Sequence, residues 1–245
     1  MKLVIAGSTG FLATQLIRQA ITYPGVTSVV ALGRREASLP AGIDSHGKFR
    51  SVICKDFENY SEDVKSELAE ADACIWTIAI TPGKLRSVSW EEVCKISRDY
   101  AVTAVETISQ LRRDRQASYG QYRFLYVSGA TATRDPAKKP LILPNYSVMR
   151  GEAENLILKC AVESKGALEA CIAKPGLIED KENTGFFTRV AKDYGRRLFG
   201  VPKVSLQEMA AALLHEAVNG FEKETLENED LVRIGAKALA AQTSS

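Results

Sequence analysis

The sequence is poor in the residues that staple or metallate a fold. Its five cysteines (Cys54, Cys74, Cys94, Cys160 and Cys171) are odd in number and scattered, with no C-x-x-C pair. That excludes a disulfide framework and points to a reducing compartment. Three of them fall in strand-like apolar runs, where a free thiol packs as a small hydrophobe. Histidine is rarer still. His46 and His215 stand without partners at metal-ligand spacing, so no structural zinc site is expected. Long hydrophobic runs are also missing: nothing approaches the ~20 apolar residues of a membrane span. Residues 3–6 are too short a run after Lys2 for a secretory signal. Neither sign of charge dominates, with 32 Lys and Arg against 30 Asp and Glu. A net charge of +2 offers no electrostatic reason to expect nucleic acid or an anionic membrane as partner. The basic run Arg112, Arg113, Asp114, Arg115 and the acidic stretch 222–230 read as solvated helix ends. The expectation is a cytoplasmic protein acting on a small molecule. Monomer and homodimer remain equally open.

What the chain does contain is apolar material in alternating short and long segments. Hydrophobic residues make up 45% of 245 positions, enough for one α/β domain with a large core. Strand-like runs at 2–6, 28–32, 50–54, 73–80, 123–128 and 169–174 are apolar nearly throughout, as parallel strands covered on both faces must be. Between them lie helical patterns. In the longest, Val93, Ile96, Tyr100, Ala104, Ile108 and Leu111 form one stripe; another runs from Pro144 to Gly166 with Ala153, Leu156, Ile157 and Cys160 on one side. Alternation of this kind predicts a doubly wound parallel sheet, a Rossmann fold, with right-handed crossovers. After Lys174 the pattern loosens into helical segments at 184–198 and 205–219, a short strand at 231–234 and an Ala-rich tail. Residues 175–245 are expected as a small helical lobe on the substrate side of a single domain, 1–245. Within it Phe186, Phe187, Tyr194 and Phe199 are either an aromatic pocket wall or the lobe's own core.

The first strand runs straight into "GSTGFLA". Gly7, Gly10 and Ala13 make a G-x-x-G-x-x-A fingerprint between a strand and a helix. Gly7 serves the turn, Gly10 lets a pyrophosphate lie against the helix N-terminus, and Ala13 lets that helix pack closely. Gly7, Ser8, Thr9, Gly10, Phe11 and Leu12 are the candidate phosphate cradle. At the end of the second strand, where NAD-binding folds place an acid for the ribose 2′-hydroxyl, the chain reads "ALGRRE". Arg34 and Arg35 there would bind a 2′-phosphate through charge-assisted hydrogen bonds, which predicts NADPH as the cofactor.

Beyond the fifth strand come "FLYVSGAT" and "PNYSVMRGEAENLI". Ser128 at a strand's carboxyl end, followed by Tyr146 with basic Arg150 four residues on, resembles the short-chain dehydrogenase/reductase superfamily. "SRDYAVTAVE", "NYSVMRGEAE" and "AKPGLI" narrow the likeness to its atypical branch. That branch holds the Tat-interacting-protein-like reductases and NmrA-like proteins; fungal secondary-metabolite oxidoreductases of averufin-oxidase type are similar as well. The resemblance covers residues 1–180. It implies that Tyr146 protonates a substrate oxygen and that Ser128 hydrogen-bonds the same oxygen. Arg150 stands where the family has lysine, a departure that keeps the charge but not an easily surrendered proton. The resemblance further implies Asp56 and Phe57 near the adenine, Ile78, Ala79 and Ile80 under the cofactor ribose, and Pro175 and Gly176 beside the nicotinamide. As plain sequence, the Ile-Ala-Ile stretch is equally a core strand, and Asp99 and Tyr100 read as helix packing. The leading expectation is an NADPH-dependent reductase of a small organic carbonyl or quinone-like compound. The alternatives are a dinucleotide-binding regulator without turnover and a non-redox enzyme catalysing isomerisation or rearrangement.

Overall fold

In the computed structural model, which describes residues 1–39, 42–113, 120–180 and 201–243, the first strand lies inside the sheet, flanked by the second and the fourth. Strand β1 (Lys2–Ala6) buries Leu3, Val4, Ile5 and Ala6 completely. Side chains alternate faces along a strand. Leu3 and Ile5 therefore enter one hydrophobic core while Val4 and Ala6 enter the other. Around it lie β2 (Ser28–Gly33), β3 (Phe49–Ile53), β4 (Ala73–Trp76), β5 (Tyr122–Val127), β6 (Leu168–Lys174) and β9 (Thr225–Glu227). The order is β3-β2-β1-β4-β5-β6-β9, and every neighbouring pair is parallel. A short parallel pair, β7 (Leu177–Glu179) and β8 (Lys203–Ser205), stands apart. The sequence-predicted doubly wound sheet is thus the observed fold.

Helices α1 (Phe11–Thr22) and α6 (Leu206–Asn219) pack on the first core face. Helices α2 (Glu62–Glu70), α4 (Tyr100–Arg113) and α5 (Pro144–Glu163) pack on the second. The chain turns one way after β1 and the other way after β4. In doubly wound sheets such a reversal puts the ligand crevice at the carboxyl ends of the strands, here those of β1 and β4.

Several sequence expectations are corrected here. The run 73–80 is strand only to Trp76; the Thr77 amide makes a last bond to the Ala6 carbonyl at 3.0 Å, and by Ile80 the amide donates instead to Ser97 Oγ at 2.9 Å. The stripe at 93–111 lies on a longer, interrupted helix. It begins as α3 (Trp90–Cys94), passes through a π-helical turn at Lys95–Asp99 and continues as α4. Residues 231–234 are helical, within α7 (Asn228–Thr243), because Leu231, Ile234 and Ala238 bury one helical face. The strand of this region is β9, inside the acidic stretch expected to be solvated, with Leu226 fully buried. Arg112 is buried too. It follows Ile108 by one turn on the apolar stripe, donates to the Ala71 carbonyl and lies 4.9 Å from the Tyr122 ring centroid. Arg113 is exposed, whereas Asp114, Arg115, the segment 184–198 and the aromatics Phe186, Phe187, Tyr194 and Phe199 lie outside the described residues.

Candidate functional site: the crevice between the first and fourth strands

The glycine turn is built for close approach. Gly7 has φ +90°, and a Cβ there would stand 2.5 Å from Thr77 Oγ1, so only glycine fits. The amides of Gly7 and Ser8 both donate to the Leu32 carbonyl, at 2.9 and 3.2 Å, and the Gly10 amide closes the turn on the Gly7 carbonyl at 2.8 Å. Gly10 then caps α1 in extended conformation with no side-chain cap, and no acidic residue lies in the first turn. A helix start with no side-chain cap and no nearby acid favours an anion through the helix dipole. Thr9 and Gly10 are exposed, Phe11 is half-buried and Leu12 is buried. Ser8 is only 3% exposed, yet its Oγ has no hydrogen-bond partner. An orphaned buried hydroxyl beside a glycine cradle, at a helix N-terminus with no side-chain cap, suits a pyrophosphate. The residues present fit a dinucleotide.

Arg34 and Arg35 follow β2 directly. Both are exposed, and neither forms an ion pair among the described residues. Their guanidinium groups are available to a phosphate at the strand end. Asp56 is exposed after β3; the Glu58 amide (2.8 Å) and the Asn59 side chain (3.3 Å) donate to its carboxylate and hold its pKa down. Phe57 is different. Its ring is buried against Trp76 (5.8 Å, edge-on) and Tyr100 (5.4 Å, stacked), which leaves only backbone for a ligand.

Tyr146, in the first turn of α5, is half-buried, and its hydroxyl donates to the Ile80 carbonyl at 2.8 Å. The preceding Leu143 sits in the left-handed region at φ 50°, an uncommon conformation for leucine that sets the helix's entry beside this tyrosine. Ile78, Ala79 and Ile80 are half-buried along the same crevice. Against that loop lies the π-helical turn, whose Ser97 joins several groups. Its Oγ takes the Ile80 amide, and its carbonyl takes the Tyr126 hydroxyl (2.9 Å) and Arg150 Nη1 (3.0 Å). Arg150 is 3% exposed, sends Nη2 to the Val127 carbonyl at 2.5 Å and covers the Tyr126 ring at 4.7 Å. The structure brings Tyr146 and Arg150 to one network but does not hydrogen-bond them to each other.

Ser128, just past β5, anchors its amide on the Ala173 carbonyl at 2.8 Å, and its hydroxyl donates to Glu154 Oε1 at 2.5 Å. Pro175 is buried with its carbonyl accepting from the Ala130 amide (2.8 Å), while the Gly176 amide donates to Asn228 Oδ1 (2.9 Å). A groove of about 270 Å³ opens beside Tyr146, lined by Leu85, Val88, Trp90, Val93 and Leu143. Ser97, Glu154 and its ion partner Arg134 were not among the sequence candidates. The only signal for Glu154 was its spacing, four residues beyond Arg150 on the same helix face.

No protein-family profile matches the chain. Among curated proteins it is similar to Protein FMP52, mitochondrial, of Candida albicans (strain SC5314 / ATCC MYA-2876), at 26% identity over 197 residues, covering 80% of this chain and 76% of that protein. This relative corrects the expectation of a cytoplasmic protein, since its name places it in the mitochondrion. No described helix is long and apolar enough to cross a membrane. Among solved structures, MoeE5 in complex with UDP-glucose and NAD superposes with a TM-score of 0.67 at 15% identity, over 98% of this chain and 82% of that one. A short chain dehydrogenase from Burkholderia cenocepacia J2315 in complex with NADP gives 0.65 at 14% identity, over 100% and 96%. The UDP-glucuronic acid 4-epimerase of Bacillus cereus, in complex with UDP-glucuronic acid and NAD, gives 0.63 at 15%, over 93% and 77%. At such identities the likeness establishes a shared fold.

Proposed function

We propose that this chain is a nicotinamide-dinucleotide oxidoreductase of the short-chain dehydrogenase/reductase superfamily, using NADPH to reduce a small organic carbonyl or quinone-like compound. The observation that carries the reading is the pairing of two features at one crevice. One is the glycine cradle at the N-terminus of α1, which has no side-chain cap; the other is the two exposed arginines, Arg34 and Arg35, at the end of the adjacent strand. Solved proteins of the same fold hold NAD or NADP, which supports a dinucleotide here. When bound, NADPH supplies hydride. The chain's own part is to hold the pyrophosphate on the α1 amides, to meet the 2′-phosphate with Arg34 and Arg35, and to deliver the Tyr146 proton to the substrate oxygen.

A second reading, dinucleotide binding without turnover, draws on Arg150. Its guanidinium is engaged by two backbone carbonyls, and the Tyr146 hydroxyl is engaged by a third. Titration separates the two readings. NADPH is expected to bind at least tenfold tighter than NADH, about 1.4 kcal/mol, and Arg34→Ala with Arg35→Ala to remove most of that preference. Tyr146→Phe should keep NADPH affinity while turnover of aromatic ketones or quinones falls about 10²-fold. Equal affinities for the two cofactors in the unaltered chain would overturn the NADPH assignment. Tight NADPH binding with no oxidation of it by any carbonyl or quinone would put the second reading in front.

A further inference from the structure

Glu154 is fully buried on α5, on the helix face that also carries Tyr146 and Arg150. Burying a carboxylate is costly unless its oxygens are paired. Here Oε2 takes Arg134 Nε at 2.8 Å and has Lys174 Nζ at 3.8 Å, while Oε1 takes the Ser128 hydroxyl at 2.5 Å. Arg134 is itself held by the Thr225 hydroxyl (2.8 Å) and Glu224 (3.4 Å), and Lys174 donates to the Ala132 carbonyl (2.9 Å). The carboxylate therefore has a fixed orientation, with both cations on one oxygen and the serine on the other.

A serine hydroxyl carries one proton and two lone pairs; a carboxylate can only accept. The Ser128 proton thus lies in the bond to Glu154, and Ser128 can offer a ligand only lone pairs. The geometry points to Glu154 as a positioning residue that makes Ser128 an acceptor, tuned to the hydroxyl of a substrate alcohol rather than to a carbonyl oxygen. This rests on the proposed function, in which Ser128 faces the substrate, and it alters the role that the family resemblance implies. Tyr146 becomes the sole proton donor to the carbonyl, and Ser128 holds the alcohol once formed. Glu154→Gln inverts the arrangement. Arg134 needs an acceptor, so the amide oxygen stays on its side and the amide NH₂ turns to Ser128. The serine must then accept from the amide, and its own proton swings outward.

Two measurements test this. Proton NMR of the full chain should show a slowly exchanging hydroxyl resonance that disappears in both Ser128→Ala and Glu154→Gln. Its absence from the unaltered chain overturns the assignment. Ligand-observed NMR of the cofactor-free chain then compares 1-phenylethanol with acetophenone, a pair differing only in hydroxyl against carbonyl. Ser128→Ala should weaken the alcohol about tenfold, the worth of roughly one hydrogen bond, and leave the ketone unchanged. Glu154→Gln should shift the affinity ratio about tenfold toward the ketone, and the same change made in Ser128→Ala should shift nothing. If Ser128→Ala weakens ketone and alcohol alike, the proposal is wrong. A chain that shows the proton but binds neither probe supports the Ser128–Glu154 polarity and counts instead against the carbonyl substrate of the proposed function.

Discussion

Arg150 lies one helical turn beyond Tyr146, where the resemblance expects a lysine near the tyrosine, but its guanidinium is occupied elsewhere. The planar fork spans two carbonyls, on Ser97 and Val127, and its face covers Tyr126. An ammonium has the charge but neither the span nor the flat face. Arg150→Lys should therefore act first on stability. We expect a loss of about 1–3 kcal/mol, the scale of one buried hydrogen bond left unmade, read as a lower midpoint in urea. An unchanged midpoint would show that lysine reaches both carbonyls and that the clamp is unimportant. The same residue marks how far single positions could be read from sequence. Gly7 and Gly10 were legible because a tight turn against a helix start constrains the backbone itself. The exposure of Arg34 and Arg35 was legible because a strand end leaves long charged side chains in solvent. The inward turn of Arg150 and the seizure of the Ser128 hydroxyl by Glu154 were not. Each depends on partners supplied by other elements, 53 and 26 residues away in the chain.

Among the elements, α5 carries Tyr146, Arg150 and Glu154 and packs against a neighbouring loop through one glycine. Gly151 faces the loop after β5 so closely that a Cβ would stand 1.7 Å from the Thr133 carbonyl oxygen and 2.8 Å from the Arg134 amide. Two effects oppose each other in Gly151→Ala. Helix propensity favours alanine by about 1 kcal/mol, whereas overpacking costs about 1–3 kcal/mol. Backbone cannot rotate aside as a side chain can, so the clash should win. We expect net destabilisation of up to about 2 kcal/mol in thermal or denaturant melts. Stabilisation would mean that the loop yields freely and does not hold Arg134 against Glu154. Element boundaries were less legible than element types. The run at 73–80 is apolar to its end, and apolarity alone cannot separate the last strand residue from a buried loop. The π-helical turn at Lys95–Asp99 was invisible because its stripe of Val93, Ile96, Tyr100 and Ala104 keeps ordinary helical steps. Its effect lies in the backbone, where the Ser97 carbonyl accepts from both Tyr126 and Arg150.

For the molecule as a whole, the part after β6 asks the sharpest question. The sequence suggested a small lobe resting on the sheet, because this part carries no matching motif and its segments are short. In the structure it supplies the sheet's last strand, with Ile172, Ala173 and Lys174 of β6 paired to Thr225, Leu226 and Glu227 of β9. Leu226, Leu231 and Ile234 are buried in the same core as Leu3 and Ile5. Asn228 ties this segment to the crevice, accepting from the Gly176 amide and donating to the Lys203 carbonyl, each at 2.9 Å. A strand of three residues gives almost no periodicity to read, and its partner strand lies some fifty residues earlier. Both are reasons why the sequence could not reveal it. A chain ending after Asn219 lacks β9 and α7. Burying each large aliphatic side chain contributes about 1.5–3 kcal/mol, so loss of Leu226, Leu231 and Ile234 alone removes roughly 5–9 kcal/mol. Domains of this kind are stable by only about 5–15 kcal/mol. The truncated chain should therefore lose its cooperative thermal transition, or melt far below the full chain, and the NADPH binding proposed above should fail with it because Gly176 loses its tether. Circular dichroism and cofactor titration on the two chains decide the matter. A truncated chain that melts cooperatively within a few degrees of the full one, with NADPH affinity intact, would show residues 220–245 to be an appendage and the sheet complete at β6.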